Sequence, residues 1–407
     1  MANPYRALFE LPGARSFVPA SFVGRMAMSM LGIGIVLMVT GTHGGYALAG
    51  AVAATTQVAY AIASPMIARL IDRHGQRRVL VPLVSANAVA MTGLILCAEL
   101  GAAAWTLFAT GVLVGMTSPS MGALVRARWS HLLAPENRPP LGTAFAMESV
   151  LDELVFITGP PLATALATGV VPAGGLVAAG LFTLVGGLAF AVQTRTQPPA
   201  SPGRRGGRTA LAYPGVPGMA LVFLSLGLVF GAVEVSAIAF ADEQGSKGLS
   251  GLVLACFAAG SGVAGLWYGA RTWVWPLARR FRLGLGLFAL GLVPVTLVES
   301  LPVMMAVIFF AGLAISPTII PAYGVLERLV PEGRLTEGLT WASTAVGLGV
   351  AGGASAAGAI IDSHGSGPAF AFALAAGIAG ALMGLAVVAR LKTVSRFDND
   401  GKRELSS

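Results

Sequence analysis

The sequence predicts an all-α membrane protein of 12 transmembrane helices in two six-helix, pseudo-symmetric bundles. Three observations lead there. Of 407 residues, 55% are hydrophobic and 11% charged, where soluble domains carry about 25% charged residues. With a mean hydropathy of +0.78, too little polar surface exists to cover a water-soluble fold of this length. The apolar runs last about 20 residues, enough to cross the hydrocarbon layer, and lack the alternation of a barrel strand. Length supplies the third: a span with its short loop takes roughly 34 residues, so about 12 spans fill the chain.

Apolar runs broken by Gly, Pro and charge place the spans at 17–40, 46–70, 79–100, 103–125, 141–167 and 173–192, then at 216–239, 249–268, 283–298, 302–325, 339–361 and 368–389. The first run follows Arg6 and Arg15 and continues into a hairpin, as a retained span does and a cleaved leader does not. The ninth is the shortest. Cys97 and Cys256 lie inside apolar runs and read as small buried hydrophobes. Residues 194–214, rich in Pro, Gly, Ser and Arg, read as a flexible linker. The chain thus divides into an N-terminal bundle (1–193), a basic cytoplasmic linker (194–214), a C-terminal bundle (215–390) and a cytoplasmic tail (391–407).

The arginines orient this arrangement. Alternate loops carry Arg73, Arg77 and Arg78; Arg126, Arg128 and Arg138; Arg195, Arg204, Arg205 and Arg208; Arg271, Arg279, Arg280 and Arg282; then Arg328 and Arg334. The tail adds Arg390, Lys392, Arg396, Lys402 and Arg403. The opposite loops carry only Lys247 against Glu99, Asp242, Glu243, Glu299 and Asp362. By the positive-inside rule both termini are cytoplasmic, and the protein is expected in the cytoplasmic membrane as a multi-pass monomer. Basic charge spread over short loops anchors spans against an anionic leaflet; it is no nucleic-acid signal.

The two halves repeat. Ser118-Pro119, Ala134-Pro135-Glu136-Asn137-Arg138 and Leu141-Gly142-Thr143 are answered by Ser316-Pro317, Val330-Pro331-Glu332-Gly333-Arg334 and Glu337-Gly338-Leu339-Thr340. Two six-span repeats in parallel orientation are a transporter plan, with binding expected near midplane between them.

Between spans two and three the chain reads Ala68-Arg69-Leu70-Ile71-Asp72-Arg73-His74-Gly75-Gln76-Arg77-Arg78. This resembles the signature of the major facilitator superfamily, Gly-x-x-x-Asp-Arg-x-Gly-Arg-Arg, in the loop where that family carries it. Asp72, Arg73, Gly75, Arg77 and Arg78 match; Ala68 replaces the leading glycine and Gln76 a basic residue. The resemblance implies the major facilitator fold and a gating loop that latches the halves on the cytoplasmic side. Physically, Gly75 permits a tight turn, and Asp72 can face a helix N-terminus or an arginine; the alternative is that the arginines only fix topology. In the second half, Gly265–Arg271 keeps glycines and an arginine, but Trp273 stands where the counterpart of Asp72 falls, so any latch is asymmetric.

Charge inside a membrane is costly and points to function. Span five holds Glu148, Asp152 and Glu153; the first two share a helical face, and Asp152 lies near midplane. Arg25 in span one is expected to pair with Asp152 or Glu153, and Arg126 with Glu148, leaving one carboxylate without a fixed cation. Such a carboxylate could bind and release a proton as the halves rock; equally, the charges could form a static network. Glu234 in span seven, which lines the cavity in this superfamily, reads as a cation or proton site or as a side chain at the outer mouth.

Gly159-Pro160-Pro161 resembles a Gly-Pro element of the superfamily's antiporters, truncated at Ala163-Thr164. Pro119, Pro317 and Pro321 are expected to break spans four and ten. Met26, Met30, Phe145, Phe230, Tyr323 and Trp341 are candidate lining for a mostly apolar ligand. Trp267, Trp273 and Trp275 read as an interfacial belt. No Walker loop is present, no serine or cysteine has a base partner, and His43, His74, His131 and His364 are read as loop residues without metal-ligand spacing. The expectation is therefore a non-enzyme without cofactor or metal, driven by the proton gradient. It would act on a small organic compound by alternating access, with efflux by antiport favoured over nutrient symport, and a receptor or scaffold as the non-transport alternative. Arg25 stands where several drug antiporters have an acid, and residues 110–117 lack their arginine, which leaves that specific wiring open.

Overall fold

A computed structural model describes residues 4–43, 46–133, 140–200, 209–246 and 249–404. Arg138, Lys247 and linker residues Arg204, Arg205 and Arg208 lie outside the described residues, as do Ala134–Asn137 of the repeat. Among the described residues the chain is helical with no strand, and 12 helical segments are long and apolar enough to cross a membrane. Helices satisfy their own backbone groups, which hydrocarbon cannot do for them. By its contacts the chain forms two units, residues 1–207 with 332–344, and residues 208–331 with 345–407.

The first unit contains α1 (Pro4–Phe9), α2 (Ala14–His43), α3 (Tyr46–His74), α4 (Gln76–Glu99), α5 (Ala104–Thr117), α6 (Met121–Leu132), α7 (Leu141–Gly169) and α8 (Gly174–Ala191). It also holds the first residues of α14 (Leu335–His364). Helix α2 packs on α8 and α7, and α3 on α5. Glycine lets these backbones approach: a Cβ at Gly186 would overlap Gly24, and one at Gly115 would overlap the Thr56 carbonyl. Without a hydrophobic drive between helices in lipid, such close packing is a principal source of cohesion.

The fourth span is broken between α5 and α6. Proline disfavours helical geometry at the residue before it, and Ser118, before Pro119, is extended at φ −69, ψ 124. Hydroxyls take up the backbone groups freed there: Ser118 Oγ donates to Val114 O at 2.8 Å and Thr117 Oγ1 to Leu113 O at 2.7 Å. From α4, Asn87 Nδ2 donates to Val114 O at 3.1 Å and reaches both hydroxyls.

The second unit contains α9 (Val216–Glu243), α10 (Ser250–Ala270), α11 (Leu277–Leu292), α12 (Leu301–Gly312), α13 (Ile315–Leu329), the remainder of α14, and α15 (Ser366–Glu404). The tenth span breaks at Leu313-Ala314, between α12 and α13, rather than at its prolines. The physical reason remains Pro317: lacking an N–H, it leaves the Leu313 carbonyl four residues earlier without its helical donor. Pro321 likewise deprives the Pro317 carbonyl, and Gly284 of α11 packs there, where a Cβ would come within 2.6 Å of that oxygen.

The ninth span starts at Leu277 instead of 283, because Arg279, Arg280 and Arg282 lie within the first turns of α11. The histidines also shift from loops to helix ends. His43, His74 and His364 are the last residues of α2, α3 and α14, and His131 sits in the last turn of α6.

Candidate functional site: a buried ion network

The network is built where α2, α6 and α7 meet. Arg25 of α2 is almost wholly buried and donates from both terminal nitrogens, Nη2 to Glu148 Oε2 at 2.6 Å and Nη1 to Asp152 Oδ1 at 2.7 Å. The one-turn spacing of the two carboxylates on α7 lets a single planar guanidinium bridge them. Arg126 of α6 donates to the other Asp152 oxygen, Oδ2, at 2.7 Å and to Gly122 O at 3.2 Å. Trp129, one turn on in α6, donates its indole N–H to Glu148 Oε1 at 2.6 Å.

The expected Arg25–Asp152 pair forms, but the other partner differs from the sequence expectation. Arg126 is on Asp152, not Glu148, while Arg25 holds both carboxylates. The reason is helix rotation: Trp129 occupies the α6 position facing Glu148 and turns Arg126 toward the following turn of α7. Glu153 is half-buried and projects about 100° around α7 from Asp152. Exposure divides the network sharply, with Asp152 at 25% and Arg25, Arg126 and Glu148 at 3% or less.

Serine and glycine set the distance between α2 and α7. Ser29 Oγ donates to Val155 O at 2.9 Å, and Gly159 lies against Ser29 so closely that a Cβ there would overlap its hydroxyl. Helix α7 continues unbroken through Pro160 and Pro161. Below the ion pairs, Met26 and Met30 pack with Val155, Ala163 and Ala179 in a buried apolar cluster. Phe145 is buried one turn before Glu148. Trp341, in the α14 segment of the same unit, is half-buried, and its indole N–H has no acceptor among the described residues.

The signature loop lies in the first unit as well. Gly75 takes the left-handed φ of +88 that joins α3 to α4, a geometry open to glycine at little cost. Asp72 accepts from the backbone N–H groups of Thr336 at 3.3 Å and Glu337 at 3.0 Å, two donors left unsatisfied at the start of α14. Glu337, fully buried, accepts from Arg69 at 2.8 Å and Arg334 at 3.2 Å. Ser64 and Thr344 hydroxyls meet at 3.0 Å. Arg73 is half-buried, and Arg77 and Arg78 are exposed.

Sequence reasoning missed several of these residues. Gln76, noted only as a departure from the signature, is buried and accepts from Arg128 Nε at 2.7 Å. Arg128, counted as a loop charge, is fully buried, stacks 3.7 Å from the Phe190 ring centroid, and donates to Thr196 Oγ1 and Phe190 O. A polar residue at a signature position reserved for a cation could have hinted that the cation arrives from elsewhere. Glu337 was visible as an acid opening an apolar helix, but Arg69 carried no signal beyond its loop.

In the second unit, Glu234 of α9 is exposed. Phe230 meets Phe257 and Phe288 edge-on, and Tyr323 stacks on Phe223 with centroids 4.9 Å apart.

A family model described as the Major Facilitator Superfamily matches residues 17–241 and 218–406. No curated protein matches the sequence. Among solved structures, the chain is similar to a bacterial homologue of the iron transporter ferroportin in an outward-facing state, with TM-score 0.73 and 14% identity over 92% of this chain and 99% of that one. It is also similar to the human organic anion transporter MFSD10 (TETRAN), with TM-score 0.70 and 14% identity over 91% of this chain and 99% of that one. At these identities the likeness concerns the fold.

Proposed function

The chain belongs to the major facilitator superfamily and is a multi-pass membrane transporter, and from that premise we propose that it is a proton-coupled exporter of a small, partly apolar organic compound. The observation that carries the reading is the difference in exposure within one ion network: Asp152 is reachable while its partners are sealed. Asp152 is the proton carrier. As a carboxylate it neutralises the facing guanidinium edges of Arg25 and Arg126; on accepting a proton at Oδ1 or Oδ2 it loses its charge and weakens both pairs. Glu148, held by Arg25 and Trp129, keeps Arg25 in place. The proton is returned when the arginines approach again.

Export is favoured by the truncated antiporter element at Gly159-Pro160-Pro161. A second reading has its own support: every carboxylate oxygen of Glu148 and Asp152 meets a donor, as in a purely structural tie.

The test begins with a thermal-shift screen of organic compounds on the purified full chain to supply a substrate. In inside-out vesicles with an acidified lumen, that compound should accumulate; uptake only into right-side-out vesicles with acid outside would indicate symport import instead. Asp152→Asn should abolish gradient-driven flux while leaving a folded protein. Unchanged flux would remove Asp152 from coupling and leave the structural reading.

A further inference from the structure

The connection from α10 to α11 gathers four aromatic rings and three arginines. Trp273 lies at its centre, stacked on Tyr268 with centroids 4.5 Å apart, edge-on to Trp267 at 5.6 Å and 6.2 Å from Trp275. Its indole N–H is spent on Tyr268 O at 2.9 Å, which fixes the ring. Around this platform Arg271 lies 5.5 Å from the Trp267 and Trp273 centroids, Arg280 5.6 Å from Trp273, and Arg279 4.6 Å from Trp275. Arg280 Nη1 donates to the Tyr268 hydroxyl at 2.8 Å, while its buried Nε has no acceptor among the described residues.

Among the described residues, no acid is paired with these arginines. No Asp or Glu occurs in the sequence between Glu243 and Glu299, and among the described residues these arginines face ring planes and a phenol rather than a carboxylate. Several guanidiniums in one short segment repel one another, and a guanidinium stacked on an indole still presents its planar N–H edge to a phosphate. Apolar surface adjoins them: Trp267 is 53% exposed, Trp275 45% and Val274, at the tip of the loop, 95%. Exposed tryptophan beside arginine suits the boundary between headgroups and acyl chains.

We propose that this Trp-platformed arginine cluster is a docking site for the phosphate headgroup of an anionic phospholipid. The arginine edges engage the phosphodiester, and Trp267, Trp275 and Val274 lie along the first acyl carbons. A free phosphate would leave that apolar rim in water, which is why the occupant is a lipid. The cluster rests on the arginine asymmetry for its orientation, which turns this loop toward the cytoplasmic, anionic leaflet. It does not depend on the proposed transport reaction, so it stands or fails separately from it.

The test is the unfolding midpoint of the full chain in neutral detergent, titrated with phosphatidylglycerol, with phosphatidylcholine and with inorganic phosphate. Phosphatidylglycerol alone should raise the midpoint. Arg271→Gln with Arg279→Gln, which spares the Arg280–Tyr268 bond, should raise the lipid concentration needed by about twenty-five-fold, taking about fivefold per arginine. A charge-matched pair of exposed changes, Arg15→Gln with Arg195→Gln, should titrate as wild type. If the glutamine pair does not fold, Arg271→Lys with Arg279→Lys keeps the charge, drops the planar fork and should weaken the response. Four results overturn the proposal: an equal shift with inorganic phosphate, an equal shift with phosphatidylcholine, an equal loss in the charge-matched control, or a wild-type titration in either cluster variant.

Discussion

Two helix pairs occupy corresponding places in the sequence repeat and are held together by opposite means. In the first unit α2 and α7, spans one and five, meet through Arg25, Glu148 and Asp152. In the second unit α9 and α14, spans seven and eleven, meet through glycine. A Cβ at Gly227 would overlap the Val346 carbonyl, one at Gly231 that of Val350, one at Gly349 that of Leu224 and one at Gly353 that of Leu228. With the offset of 196 that aligns Arg138 with Arg334, Glu148 and Asp152 correspond to Thr344 and Leu348. One duplicated interface carries charge and the other carries backbone contact. The lesson is that the repeat preserves helix placement, which packing can satisfy in several ways, while the ionisable chemistry is confined to one copy.

Arg25→Ala should have the largest effect on the charged interface. It leaves the buried Glu148 with the Trp129 N–H but no cation and Asp152 with Arg126 alone, and removing one partner of a buried pair costs about 3–5 kcal/mol. A large fall in the detergent unfolding midpoint is expected. A fall no greater than that of a surface change would show that the charges do not hold these helices together.

The glycine seam should respond less strongly but in the same measurement. Gly349→Ala forces a methyl against Leu224 O, an overpacking cost of about 1–3 kcal/mol. Its effect should be on stability alone, with the pH dependence of flux kept; a shifted pH profile would mean that the seam also takes part in coupling.

A second contrast lies in the two loops that join spans two to three and eight to nine. The first supplies Asp72 to the N–H groups of Thr336 and Glu337, whereas the second has Trp273 at the corresponding place and keeps its arginines around aromatic rings. Asp72→Asn removes the charge from a helix N-terminus but retains one accepting oxygen, so the expected stability loss is about 0.3–1 kcal/mol, read by thermal unfolding. A larger effect on flux than on stability would assign Asp72 to gating, and the absence of both would assign the loop to topology.

Some of the network was legible beforehand because depth in a helix can be counted. Arg25 and Asp152 lie at similar distances from the cytoplasmic edge of their spans, and Glu148 shares a face with Asp152, so their meeting follows from a rise of about 1.5 Å per residue. Arg126 was assigned to the wrong carboxylate because its depth is known but its rotation is not. Trp129, Gln76, Arg128 and Arg69 were passed over for the same reason: each serves a partner on another helix. Glycine was equally opaque, since frequent glycine in membrane helices does not mark which ones touch.

The class, the 12 spans, the fourth-span break at Pro119 and the repeat follow from residue order alone, and the basic loops argue for the orientation. These depend on local quantities: the length needed to cross hydrocarbon, the internal hydrogen bonding that lipid demands, and the backbone restriction that proline imposes. Only the tertiary structure decided that Arg25 bridges two carboxylates, that Arg126 joins the second, that Asp72 caps α14 and that glycine closes the α9–α14 contact. Those outcomes depend on helix rotation and separation at the scale of a single hydrogen bond, which are fixed by packing against other helices.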